Sequence, residues 1–180
     1  MATQSVPDTV TARNMTGVYV INKQLSDSSN GVLKMQNVGF IIRQVVNNST
    51  IVVTLKQYKG DDGVERFDQK QVALGGTENL EERRLNWQEL EADNAIWGRV
   101  KGKTRVAKVE ELSDDYLKEG WDDGEVIESY NESVKGDWQA TQVYGFKVVD
   151  GVRRQVRRIV STKGKQVEKI QMVYDWKEAA

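Results

Sequence analysis

The run Gln142-Val143-Tyr144-Gly145-Phe146-Lys147-Val148-Val149-Asp150-Gly151-Val152-Arg153-Arg154-Gln155-Val156-Arg157-Arg158-Ile159 decides the fold. Stretches rich in β-branched and aromatic residues flank Asp150-Gly151, a dipeptide suited to the positive φ of a tight hairpin turn. The same grammar recurs at Lys163-Gly164, between Val152–Thr162 and Gln166–Trp176, and at Lys135-Gly136, between Glu125–Val134 and Trp138–Val149. Side chains alternate faces along a strand, so a two-residue turn fixes which residues share a face. Across Asp150-Gly151, Phe146 is expected opposite Gln155, Tyr144 opposite Arg157 and Gln142 opposite Ile159. Across Lys163-Gly164, Arg157 is expected opposite Ile170, Gln155 opposite Met172 and Ile159 opposite Glu168. One face therefore collects Gln142, Tyr144, Phe146, Gln155, Arg157, Ile159, Ile170, Met172 and Tyr174. The other holds Lys147, Arg154, Arg158, Lys169 and Gln171, with Val143, Val156 and Val173. The first set is apolar and aromatic with a few polar groups, the composition of a small-molecule pocket. It is read as facing inward and as the ligand-binding set, with Arg157, Tyr144 and Gln142 meeting a polar end of the ligand.

Working outward from this stretch, Thr16–Ile21 reads as a first strand. Ser26-Asp27-Ser28-Ser29 offers capping oxygens before a short helix at Val32–Met35, and apolar positions 38, 41, 42, 45 and 46 predict a second over Val38–Val46. Strands are then expected at Ile51–Tyr58, Val64–Leu74, Glu81–Glu91, Ala95–Val100 and Thr104–Val109, with turns at Gly60–Gly63, Gly75-Gly76 and Lys101-Gly102. Trp87 and Trp97 are placed within the middle strands. An acidic helical insert follows at Glu110–Gly120, capped by Ser113, before the C-terminal strands begin. The sum is a mainly β chain: a ten-stranded up-and-down antiparallel β-barrel with two short helices between strands 1 and 2 and a short helical insert between strands 6 and 7. Closure removes exposed edges, and a barrel this wide leaves a hollow. Residues 1–15 are expected to form a flexible leader, and 16–180 a single barrel domain.

Composition narrows the chemistry. The 180 residues include no cysteine and no histidine, and 26 Lys+Arg balance 27 Asp+Glu for a net charge of −1. Thiol catalysis, disulfides, zinc–thiolate centres and histidine bases are thereby excluded. No metal and no cofactor are expected; Asp61-Asp62, Asp114-Asp115 and Asp122-Asp123 do not match a calcium loop. The arginines of Val152–Arg158 divide two to each face, and the chain is slightly acidic, so no nucleic-acid partner is expected. No apolar run reaches the roughly 18–20 residues of a membrane span, and Met1–Pro7 lacks the start of a signal peptide. A cytoplasmic location without membrane insertion is expected.

In their order along the chain, these elements resemble the intracellular fatty-acid-binding protein family of the calycin superfamily. Thr16-Gly17-Val18-Tyr19 is similar to that family's opening Gly-x-Trp/Tyr, and Asn37-Val38-Gly39-Phe40-Ile41-Ile42-Arg43 to its second-helix stretch. Val149-Asp150-Gly151 matches a late hairpin, and Met172-Val173-Tyr174 falls where the family ends in Arg-x-Tyr. Small fungal lipocalin-like proteins, some from biosynthetic clusters, are the nearer resemblance. The family's carboxylate-binding arginines are replaced here by Met172 and Phe146, with Tyr174 retained and Arg157 on a neighbouring strand. The insert at Glu110–Glu125, which lengthens the chain beyond a typical member, is long enough to cover a barrel mouth.

Two functions follow. The first is binding of a hydrophobic small molecule inside the barrel. The alternative is a cofactor-independent isomerase or cyclase acting on a hydrophobic biosynthetic intermediate in the same cavity, where orientation alone can lower a barrier by several kcal/mol. Glu168 is the carboxylate that alternation places nearest the ligand face, and Glu128 is expected to face away.

Overall fold

The computed structural model describes residues 4–73 and 77–177. The chain runs β1 (Gly17–Ile21), α1 (Asn30–Met35), α2 (Phe40–Asn48), β2 (Ile51–Lys59), β3 (Glu65–Ala73), β4 (Thr77–Arg84), β5 (Leu90–Asn94) and β6 (Gly98–Lys108). A 3-10 turn (Val109–Glu111) and α3 (Asp115–Lys118) precede β7 (Glu125–Ser133), β8 (Gln139–Val149), β9 (Val152–Lys163) and β10 (Gln166–Lys177). The ten strands form one antiparallel sheet in which β1 pairs with both β2 and β10, so the ribbon curls back on itself. The result is a nearly closed barrel. Its single seam among the described residues lies between β4 and β5, the two ends of the strand order.

The C-terminal register explains the alternation seen in the sequence. Asp150 and Gly151 both take positive φ, 50° and 72°, which matches the twist of the flanking strands. Gln142 pairs with Ile159, Tyr144 with Arg157 and Phe146 with Gln155, as expected. The next hairpin differs. It turns at Gly164-Lys165, so Lys163 pairs with Gln166, Ile159 with Ile170, Arg157 with Met172 and Gln155 with Tyr174. Moving a turn by one residue moves each partner by two, so the faces survive the error.

The middle strands depart further from expectation. Lys101-Gly102 is no turn: β6 runs straight through it, Gly102 pairing with Leu90 on one side and Asn131 on the other. A Cβ there would lie 2.5 Å from Asn131 Oδ1 and 2.8 Å from the Tyr130 carbonyl, so glycine marks close approach of a neighbouring strand. The real turn lies at Ala95–Trp97, where Asn94 Oδ1 accepts from the backbone N–H of Ile96 and Trp97 at 2.8 and 3.2 Å. Glu81–Glu91 is likewise not one strand. It divides between β4 and β5, and Trp87, at φ 58°, lies in the connection. Both Trp87 and Trp97 are therefore loop residues. The turn expected at Gly75-Gly76, with Leu74, lies outside the described residues.

Within residues 4–15, expected as part of a loose leader, four side chains are packed and the rest are largely exposed. Val6, Val10, Ala12 and Met15 are buried against Tyr19, Leu55, Phe67, Ile127 and Phe146, closing one end of the barrel. The Tyr19 hydroxyl donates to the Met15 carbonyl at 2.9 Å, and Arg153 donates to the carbonyls of Pro7 and Val10 at 3.0 and 3.1 Å. These bonds satisfy backbone groups that a buried plug would otherwise leave bare.

The insert also sits elsewhere than at a mouth. Leu112 and Leu117 pack on Ala107, Val126 and Val143, on the outer wall. Arg158 clamps it there, donating to the carbonyls of Tyr116 and Glu119 at 2.7 and 2.6 Å. Asp114, not Ser113, caps α3, accepting from the Tyr116 N–H at 2.9 Å. This covering buries Arg158 and Val143 on the outer face, while Lys169 of the same face stays exposed. No helix among the described residues is long and apolar enough to cross a membrane.

Candidate functional site

At the end opposite the plug, α1 and α2 roof a chamber of about 100 Å³. A water needs roughly 10–15 Å³ by this measure, so the space exceeds a packing defect. The helix α2 roofs it because its apolar residues are unevenly placed: Ile42, Val45 and Val46 face the chamber, while Phe40 and Ile41 are 65% and 78% exposed. From α1 come Val32, Leu33 and Gln36, and the Gln36 Oε1 accepts from Trp97 Nε1 at 2.8 Å, tying the roof to the β5–β6 turn. Asn37 fastens the other side, bonding Asp137 and Lys163.

The walls are mainly apolar, but one carboxylate and one cation reach them, Glu81 and Arg157. Arg157 is 5% exposed. It lies over the rings of Tyr144 and Tyr174 at 4.6 and 5.3 Å and donates from NH2 to Gln69 Oε1 at 2.6 Å. Its Nε–H has no partner among the described residues. A buried guanidinium N–H left bare is costly, and it is the group in the chamber most in need of an acceptor.

Gln69 turns its amide nitrogen to Glu81 Oε1 at 3.4 Å, so one glutamine links cation and carboxylate. The same oxygen accepts from Asn79 Nδ2 at 3.1 Å and Gln71 Nε2 at 3.4 Å, and Arg83 pairs closely with the other oxygen. Burial, opposed by the Arg157 charge, pushes the Tyr174 hydroxyl above the ordinary phenol value. It is therefore a neutral phenol at pH 7.

Two clefts adjoin the chamber. One of about 240 Å³ shares Ser29, Val46, Ile51 and Met172 with it, bridged by Lys23 Nζ donating to the Asn47 carbonyl at 2.7 Å. The other, about 250 Å³, follows the β4–β5 seam and shares Glu81.

Five of the nine residues expected on the ligand face, Gln142, Arg157, Ile159, Ile170 and Met172, line the chamber. Tyr144, Phe146, Gln155 and Tyr174 share that inward face but lie lower, fully buried in the packed half. Tyr144 still touches the lining, donating to Gln142 Oε1 at 3.2 Å. Glu168 is exposed beside Gly31 at the mouth, outside the chamber lining. Glu128 faces outward and pairs with Arg105 Nε at 2.8 Å.

What the sequence reading missed is the β3–β4 wall: Gln69, Gln71, Asn79, Glu81 and Arg83. Their every-second spacing was the available signal, and it resembles a solvent face until the register pairs Gln69 with Glu81 and Gln71 with Asn79.

The chain is similar to curated fungal proteins along nearly its whole length. The pericyclase pydY of Acremonium sp is 30% identical over 178 residues, 96% of each chain. A probable pericyclase of Mollisia scopiformis, scpY, is 29% identical over 178 residues, 96% of this chain and 94% of its own. Among solved structures, a Schistosoma mansoni fatty acid binding protein in complex with arachidonic acid aligns over 91% of this chain and 96% of its own, with a TM-score of 0.55 at 14% identity. That likeness is one of fold, the antiparallel β-barrel. No family model matches the chain.

Proposed function

The chain belongs to the family of the Acremonium pericyclase pydY, and on that premise we propose that it binds a hydrophobic small molecule in the barrel chamber and closes a ring in it without a cofactor. The observation that carries this reading is an apolar chamber whose cation, Arg157, presents an unpartnered N–H. A pericyclic closure moves electrons around a ring of atoms in one step, so it needs shape before acid or base. Holding a flexible chain in the folded conformation removes much of the entropic barrier, up to about 7–11 kcal/mol in the best intramolecular cases. A donor on a conjugated carbonyl withdraws electron density and speeds the same step. In this reading Arg157 is that donor, a role supported by Gln69, Tyr144 and Tyr174, which hold its guanidinium still.

A carrier role is the second reading. It is favoured by Glu81 and Gln69, whose polar groups already bond to each other and to their neighbours. The partner in both readings is a small molecule, not a nucleic acid, and the location a cytoplasmic one.

Native mass spectrometry of freshly purified protein, followed by organic extraction and chromatography, separates the readings. One apolar molecule per chain is expected. Ring closure preserves mass, so the acyclic isomer should convert to a product of equal mass and different retention. Return of every compound unchanged would leave the carrier reading alone, and failure to bind any apolar compound would overturn both.

A further inference from the structure

Glu81 stands where three spaces meet. It lines the apolar chamber, the seam cleft between β4 and β5, and a recess of about 30 Å³ walled by Trp97 and Trp138. Among the described residues no other lines all three. Its side chain is 17% exposed. The carboxylate can therefore meet a chamber ligand on one side and exchange a proton through the seam on the other, with the roof still closed. Gln69 connects it to Arg157, whose free N–H can receive an oxygen that gains negative charge. Arg83 pairs with one Glu81 oxygen, and the other takes only the longer amide bonds of Gln69, Gln71 and Asn79, which a ligand proton can displace; with Arg157 one amide away, the site has the parts needed for proton abstraction next to a carbonyl.

We infer that the chamber also moves double bonds, with Glu81 carrying a proton from the α to the γ carbon of a β,γ-unsaturated ketone while Arg157 holds the oxygen. This rests on the chamber being the ligand site. In the first half, the α C–H bond breaks, its proton goes to a Glu81 oxygen, and its electron pair delocalises into a dienolate whose oxygen accepts from Arg157 Nε–H. In the second, the carboxyl returns the proton to the γ carbon, the carbonyl re-forms, and Glu81 is a carboxylate again. Nothing is oxidised or reduced, and no proton is consumed. The substrate class follows from base strength. Carboxylates are weak bases, so the α C–H must be acidified by both a carbonyl and an alkene. The product is a conjugated π system, the kind of reactant that ring closure consumes.

The test uses allyl phenyl ketone as probe, with conversion to its conjugated isomer followed by absorbance and chromatography. Its saturated analogue butyrophenone, titrated calorimetrically, reports chamber binding separately. Wild type should bind butyrophenone and isomerise the probe. Glu81→Gln should lower kcat roughly 100-fold, within the range for acid–base groups, while KM and butyrophenone affinity stay within about threefold. Glu81→Asp should recover part of the rate, and Glu168→Gln should leave it unchanged. Butyrophenone binding without isomerisation by wild type would overturn this inference alone, as would a Glu81→Gln protein of undiminished rate. Absence of butyrophenone binding would overturn the chamber as the ligand site, and this inference with it.

Discussion

Replacing Arg157 with methionine isolates the donor role of the chamber. Methionine keeps an unbranched side chain as far as the position of Nε but removes the charge, the bare Nε–H and the terminal nitrogens. Hydrogen bonds to charged groups contribute about 1.5–3 kcal/mol, so a ligand whose carbonyl bonds Arg157 should lose roughly 10- to 150-fold in affinity. The fold should respond less. Gln69 Oε1 loses its 2.6 Å donor, a cost of about 1–3 kcal/mol, offset in part because a buried cation no longer has to be held away from water. Isothermal titration with benzophenone and with diphenylmethane, which lacks the carbonyl, makes the comparison internal. Arg157→Met should weaken benzophenone by that factor and leave diphenylmethane within about twofold. Equal weakening of both would mean that Arg157 acts by packing, and no weakening of either would remove it from the site.

Other expectations concern the frame around the chamber. Met15 is wholly buried in the plug, so Met15→Ala should cost about 2–5 kcal/mol and lower Tm by roughly 5–20 °C, whereas a mobile leader would show no change. Gly102→Val forces a side chain against Asn131 and the Tyr130 carbonyl and should cost at least about 1–3 kcal/mol; an unchanged denaturation midpoint would contradict the close approach of β6 and β7. Lys147 faces outward toward Gly120 of the insert, so Lys147→Ala should leave ketone affinity unaltered, and a loss there would reverse the assignment of faces. The bond from Asn37, opposed by burial, holds the Asp137 carboxyl below the usual range. Its stabilising effect is therefore present above the unfolded value of about 3.9 and lost as pH falls below it. Protection of the α1 and α2 amides, taken relative to the intrinsic exchange rate at each pH, should accordingly fall below about pH 4, and less so in Asp137→Asn; protection that does not change with pH would separate this anchor from the roof.

The C-terminal half of the barrel was legible because its turns are short. Asp150-Gly151 transmits strand parity without loss, and even the misplaced turn near Gly164 moved partners by two residues and kept Ile170, Met172 and Tyr174 on the right face. The middle strands β4–β6 were not, because local signals there have two meanings. Gly102 was read as a turn when it relieves crowding between strands, and Asn94, whose side chain makes the true turn, sits inside an unremarkable polar run. With β4 and β5 merged, nothing could place Glu81 opposite Gln69, so the chamber's carboxylate was sought at Glu168 instead. The plug was missed for a different reason. Val6, Val10, Ala12 and Met15 follow neither a helical nor an alternating period, and their burial comes from the open barrel end they fill.

A crystal structure of the protein with benzophenone bound tests the ligand site most directly. The ketone is expected beneath α1 and α2, its oxygen within hydrogen-bond distance of Arg157 Nε and its rings against Ile159, Ile170 and Met172. Density for the ketone in the seam cleft or on the outer wall, with the space beneath α2 collapsed, would contradict the chamber as the place where this protein works.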